Sequence, residues 1–262
     1  MKIILDEFDR VADMASTRHA SMINAIVMSS RRGMVGHSAL SPIAGRGVKR
    51  NLVSIGKSAI DMEEGNILDD IESFSQIAVT TAFNHLGVNA PKHHTNALSE
   101  LLKASEEASS TYLLGSITSQ VNSDVNQTLK DFRNAALRAM MKSDLNRISR
   151  HVANDIVLRE EIEADRRPKF TDRVGRRISS DLHIRREWRK TMRDHFVQAY
   201  LQTLTTSFGI SEAIMWHPDV THGNYGRHLA ITEPDYGLED IGKALHPNAR
   251  ALPVAQKFME AA

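Results

Sequence analysis

The chain of 262 residues contains no cysteine. Disulfides, thiolate metal sites and thiol nucleophiles are thereby excluded, and cysteine usage leaves the redox compartment unread. Aromatic residues are scarce at 5 %, so a core has to be built from Leu, Ile, Val, Ala and the 11 Met. No apolar run approaches the roughly 18 residues that a membrane span requires. The N-terminus breaks into charge at Asp6, too early for a secretory signal. These absences predict an aqueous compartment and no membrane partner. What is present, 41 % hydrophobic and 25 % charged residues, is ordinary for a folded protein of one large domain or two modest ones.

A net charge of +1 conceals segregation along the chain. Residues 31–50 carry five bases and no acid, among them Arg46, Lys49 and Arg50, whereas residues 61–72 carry six acids and no base. Residues 166–193 hold eleven bases against three acids. Blocks of this kind belong either to solvated helix faces or to surfaces that meet other charged surfaces.

Hydrophobic periodicity is mainly helical. Ile4, Phe8, Val11, Ala15, His19, Met22 and Ile26 recur at steps of three and four and predict an amphipathic helix over residues 4–27. Gly33, Gly36, Pro42, Gly45 and Gly47 then predict an extended basic arm or loop over 33–50, either a plain linker or, through Arg46, Lys49 and Arg50, a contact for phosphate or an acidic partner surface. A second helical stretch passes through Ile71, Phe74, Ala78 and Ala82, with Gly87 as its stop. Residues 117–165 read as one long helix with two stripes, one through Val121, Val125, Leu129, Phe132, Ala136 and Met140. The other runs through Leu137, Met141, Leu145, Ile148, Val152 and Ile156. After Pro168, a further helix carries Trp188, Met192, Phe196, Ala199 and Thr203, and Gly209 is its natural terminus. No internal repeat is visible and no strand pattern is strong before residue 210. The predicted fold is mainly α, with long helices, an extended basic arm and a small irregular or α+β C-terminal cap. The expected divisions are an N-terminal helix (1–32), the arm (33–60), a helical body (61–208) and a His/Gly/Pro-rich cap (209–262).

Catalytic patterns are missing. Gly56-Lys57-Ser58 lacks the first glycine of a phosphate-cradling loop, and Ser54 and Ser58 lack a nucleophile elbow. The pair Glu160-Glu161 lies among bases and reads as a solvated face, and His93-His94 as a surface turn. In the tail, His217, Asp219, His222, His228 and His246 fall within thirty residues. Imidazole and carboxylate can bind zinc, but this set matches no closed ligand spacing, so neither a metal nor another cofactor is expected. The basic run offers the better binding surface. Arg173, Arg176 and Arg177, then Arg185, Arg186, Arg189 and Arg193, recur at three and four residues, so a helix would gather several on one face. Such a face neutralises phosphates without reading sequence, or docks on an acidic protein surface.

The order of elements in the last third resembles a known family. Arg189-Lys190-Thr191 lies in a helix closed by Gly209, followed by Trp216 with Asp219, then His222, then His246-Pro247-Asn248-Ala249-Arg250-Ala251. Over residues 175–253 this is similar to the phage minor head (head-morphogenesis) proteins of the Mu and SPP1 type. Those proteins close on an Asn-Cys-Arg-Cys element; Ala249 and Ala251 stand here in place of both cysteines. The resemblance implies a non-enzymatic virion protein near the portal, assembled in the host cytoplasm. Its implied partners are portal, major capsid or connector subunits, further copies of itself, and packaged DNA. Trp216, Asp219, His222, His246, Asn248 and Arg250 would then be motif residues with structural roles, Asn248 and Arg250 holding a turn through side-chain hydrogen bonds. The competing expectations are a stand-alone, sequence-independent DNA-binding protein and a metal-dependent hydrolase built on the tail histidines.

Overall fold

The computed structural model describes residues 1–35, 42–91, 95–172, 174–223, 225–231 and 250–261. The chain is mainly α: α1 (Lys2–Arg32), α2 (Pro42–His85), α3 (Asn96–Asn146), α4 (Arg150–Glu163), α5 (Ser180–Phe208) and a short α6 (Gln256–Ala261). Between α4 and α5 lies a hairpin of β1 (Lys169–Thr171) and β2 (Arg177–Ser179), paired with Phe170 opposite Ile178. After α5, β3 (Glu212–Trp216) is the centre of an antiparallel sheet ordered β4-β3-β5, with β4 at His228–Ala230 and β5 at Leu252–Val254. Contacts divide the chain into two compact units. One comprises Met1–Asp13, Glu64–Leu114 and Arg186–Ala262, the other Met14–Glu63 and Gly115–Arg185. These units do not coincide with divisions at residues 32, 60 and 208, because α1, α2, α3 and α5 each supply residues to both.

The first unit packs on an aromatic cluster. Phe8 of α1 lies 4.9 Å from Phe74 of α2 and 5.7 Å from Phe196 of α5, ring centre to ring centre. Trp188, fully buried, donates its indole N–H to Asp70 at 2.9 Å. Trp188, Met192, Phe196, Ala199 and Thr203 are all buried, as their helical spacing predicts. Gly209 ends α5 with φ +66°, a backbone conformation that disfavours any side chain with a Cβ. The sheet is attached to this helix: the Tyr200 hydroxyl accepts the Ala255 N–H at 2.8 Å, just beyond β5.

The second unit buries the predicted α1 stripe from Ala15 through His19 and Met22 to Ile26, with Val48 and Leu52 of α2 and Val121, Val125 and Phe132 of α3. Here the extended arm is corrected. Residues 42–60 are the opening turns of α2, not an arm; of the rest, residues 36–41 lie outside the described residues. Pro42 is tolerated as a first helical residue, and each interior glycine costs only about 1 kcal/mol against alanine. Val48, Leu52 and Gly56, four apart, give the helix a buried face that offsets this. A Cβ at Gly56 would lie 3.1 Å from Val125 and 3.2 Å from Val121, so glycine here lets α2 approach α3 closely.

The single helix predicted over 117–165 is two helices, and the first begins at Asn96. Arg147 takes φ +52°, and Ser149 caps α4 by accepting the Val152 N–H. The break is hidden in the sequence because Leu145, Ile148, Val152 and Ile156 keep helical spacing across it. Their stripe is not core: Leu137, Met141, Leu145, Val152 and Ile156 are exposed, as is Met140 of the first stripe. The β1–β2 hairpin was also unforeseen, since strands of three residues are too short to alternate.

Candidate functional site

The basic run 166–193 is divided between two environments. Arg176 is exposed and pairs with Asp172 at 2.7 Å, and the Asp172 carboxylate also accepts the backbone N–H groups of Val174 and Arg176. Burial works against the Asp172 carboxylate; Arg176 and these backbone bonds outweigh it and hold its pKa below the usual value. Arg177 is exposed on β2, Arg185 and Arg186 are half-buried, and Arg173 lies outside the described residues. Arg189 and Arg193 are buried, with 6 % and 1 % of their surface exposed. Arg189 pairs with Asp9 and Arg193 with Asp194. A continuous solvent face through Arg185, Arg186, Arg189 and Arg193 is therefore not formed. Helical spacing does align Arg189 with Arg193, but α5 around them is buried and carboxylates, not solvent, meet their charge.

Arg46, Lys49 and Arg50 are exposed on α2. Helical geometry thus does for them what it does not do for the later run.

Three of the tail motif residues, Trp216, Asp219 and His222, lie at the end of β3 and in the connection to β4. Trp216 is the last residue of β3, and its main-chain neighbourhood is closed by Gly226 donating to the Met215 carbonyl at 2.8 Å. Asp219 accepts from the Thr221 hydroxyl at 2.7 Å and the Thr221 N–H at 3.0 Å, which keeps its carboxyl more acidic than usual. His217 and His222 stack 4.0 Å apart, and His217 Nδ1 accepts the Asp219 N–H at 3.0 Å. These are contacts that shape a turn. His228 is on β4, 3.9 Å from Glu212. His246 and Asn248 lie outside the described residues, and Arg250 is exposed. Among the described residues, no three His, Asp or Glu side chains are placed to share a metal ion.

Sequence reasoning missed two buried polar clusters. In the second unit, Asp124 of α3 accepts from the Ser180 hydroxyl at 2.6 Å and from Gln120 at 2.7 Å. His19 Nε2 lies 2.8 Å from both Asp124 and Ser180. The composition is that of a Ser-His-Asp triad, but the arrangement is different. The serine proton goes to the carboxylate, one imidazole nitrogen faces both partners, and Ser180 is fully buried. The cluster satisfies its own donors and acceptors. Its one legible signal was His19 inside an apolar stripe. In the first unit, His195 of α5 lies 2.8 Å from the Ser75 hydroxyl and 3.2 Å from that of Ser109. Burial pushes its pKa down to about 4, partly countered by the Ile71 carbonyl. Beside it, Ser109, Tyr112, Lys190, Asp194 and Gln198 line a cleft of about 190 Å³, where Lys190 pairs with Asp194 at 3.2 Å.

No described helix is long and apolar enough to cross a membrane. Comparison with protein-family models, with curated proteins and with solved structures finds no match. The class that the geometry defines is a mainly helical protein with a small strand-containing C-terminal region.

Proposed function

We propose that the chain is a structural component of a bacteriophage head, a minor head or connector-associated protein that works by docking on neighbouring virion proteins. The observation that carries the reading is an apolar stripe left uncovered on one helix. Leu137, Met140, Met141 and Leu145 share a face of α3 and are 42–77 % exposed. Isolated exposed apolar residues are ordinary; four at helical spacing mark a surface suited to a partner. The tail resemblance names the class of partner, with Trp216, Asp219 and His222 gathered in one connection as motif residues of a structural turn. Portal, connector or capsid subunits, or further copies of the chain, would cover the stripe.

Quantitative mass spectrometry of purified particles of the phage that encodes the chain tests the proposal. A fixed copy number per capsid is expected, a value near twelve pointing to the portal and hundreds to the shell. Absence of the chain from particles overturns it.

A further inference from the structure

We infer that the face formed by the end of α1 and the opening turns of α2 binds the phosphodiester backbone of duplex nucleic acid. Residues 14–60 hold seven bases and not one acid. Two of the seven are engaged: Arg18 pairs with Glu63, and Arg31 lies 3.6 Å from Asp165. The other five, Arg32, Arg46, Lys49, Arg50 and Lys57, are exposed and have no acidic partner among the described residues.

Conversion of residues 42–60 from arm to helix is what organises these charges. At 3.6 residues per turn, Arg46, Arg50 and Lys57 fall within about 40° of one another around α2, with Lys49 beside them. Arg46 and Arg50 are about 6 Å apart along the axis, and Lys57 about 10 Å further on. Next to this row runs a groove of about 450 Å³, lined by Ser29, Arg32, Asn51 and Ser54 together with the apolar Ala25, Met28 and Ile55. The end of α1 is held there by close packing, for a Cβ at Gly33 would come within 2.2 Å of Val48.

Arginine and lysine supplemented by serine and asparagine are the side chains that contact phosphate and sugar. Protein interfaces, by contrast, deplete lysine and centre on apolar anchors. Residues 42–60 contain no aromatic side chain, so bases have nothing to stack on, and a duplex backbone is favoured over a single strand. The inference stands on this face alone and does not require the head-component proposal. It moves nucleic-acid contact away from the 166–193 run.

The test is fluorescence anisotropy of labelled 20-base-pair duplexes of two unrelated sequences, titrated with the full chain at several salt concentrations. Equal affinity for both sequences is expected, with a log–log salt slope of about −4.5 for five phosphate contacts. Changing Arg46, Lys49, Arg50 and Lys57 together to Gln is expected to bring the slope to about −1 and weaken binding at least about tenfold at low salt. Circular dichroism checks the fold. Should that variant not fold, Arg50→Gln with Lys57→Gln is expected to reduce the slope by about 2. Arg185→Glu with Arg186→Glu is expected to leave affinity within about twofold. The inference is overturned if the chain binds poly-glutamate but not duplex. It is equally overturned by a salt slope unchanged in the α2 variants, or by loss of binding confined to the Arg185/Arg186 variant.

Discussion

Single residues in this protein decide stability chiefly where polar groups are buried. Asp124 is 1 % exposed and accepts from three side chains, so its removal takes the acceptor from the Ser180 hydroxyl and leaves His19 and Gln120 with Ser180 alone to share. Asp124→Ala is expected to cost about 3 kcal/mol, and Asp124→Asn about half that, in urea unfolding at neutral pH. His195 and His85 make stability depend on pH. Both have pKa values lowered by burial from 6.5 to about 4, and the Tyr200 hydroxyl lies 2.8 Å from His85 Nδ1. In the unfolded chain these imidazoles take up protons as the pH falls through 6.5; in the fold they resist until about 4. The unfolded state therefore binds more protons in this window. Their contribution is complete above the unfolded value and is lost as pH drops from 6.5 towards 4. His195 alone accounts for about 2–3 kcal/mol of that loss. Urea midpoints at pH 7.5, 5.5 and 4.5 should fall in that order, and His195→Gln should flatten the trend.

At the scale of elements, spacing alone does not say which face of a helix is core. Both stripes of α3 have the same period, yet Val121, Val125 and Phe132 are buried while Leu137, Met141 and Leu145 are exposed. Leu137→Glu with Met141→Glu is thus expected to leave the melting temperature within a few degrees. On the proposed head-component function, the same pair should abolish incorporation of the chain into particles, read by mass spectrometry. Glycines of α2 divide in the same way. Gly56→Leu overpacks against Val121 and Val125 and should destabilise by about 1–3 kcal/mol. A Cβ at Gly45 meets nothing within 4 Å, so Gly45→Ala should stabilise by up to about 1 kcal/mol. Thermal melts of the two variants, moving in opposite directions, check both predictions.

For the whole molecule, the relevant fact is that neither compact unit is continuous in sequence. Each draws on α1, so a fragment of residues 61–208, the body suggested by composition, lacks part of both cores. That fragment is expected to show no cooperative melt, as followed by circular dichroism at 222 nm. A cooperative transition in the fragment would show that its helices suffice for a core of their own.

Local chemistry was legible in the sequence. Apolar spacing identified α1 and α5, Gly87 and Gly209 marked helix ends with φ values of +71° and +66°, and the turn-rich tail announced the small mixed cap. These follow from interactions within a few residues, which the chain carries wherever it goes. Tertiary structure decided what depends on neighbours far along the chain. It made helix of residues 42–60, because Val48, Leu52 and Gly56 found partners that offset the glycines. It withdrew Arg189 and Arg193 from solvent by burying α5 around them, and it brought Asp9, 180 residues away, to Arg189. It also left Arg46, Lys49 and Arg50 exposed on a helix. A charge run in sequence records only how many charges there are; burial and pairing, set by packing, decide which of them can reach a partner.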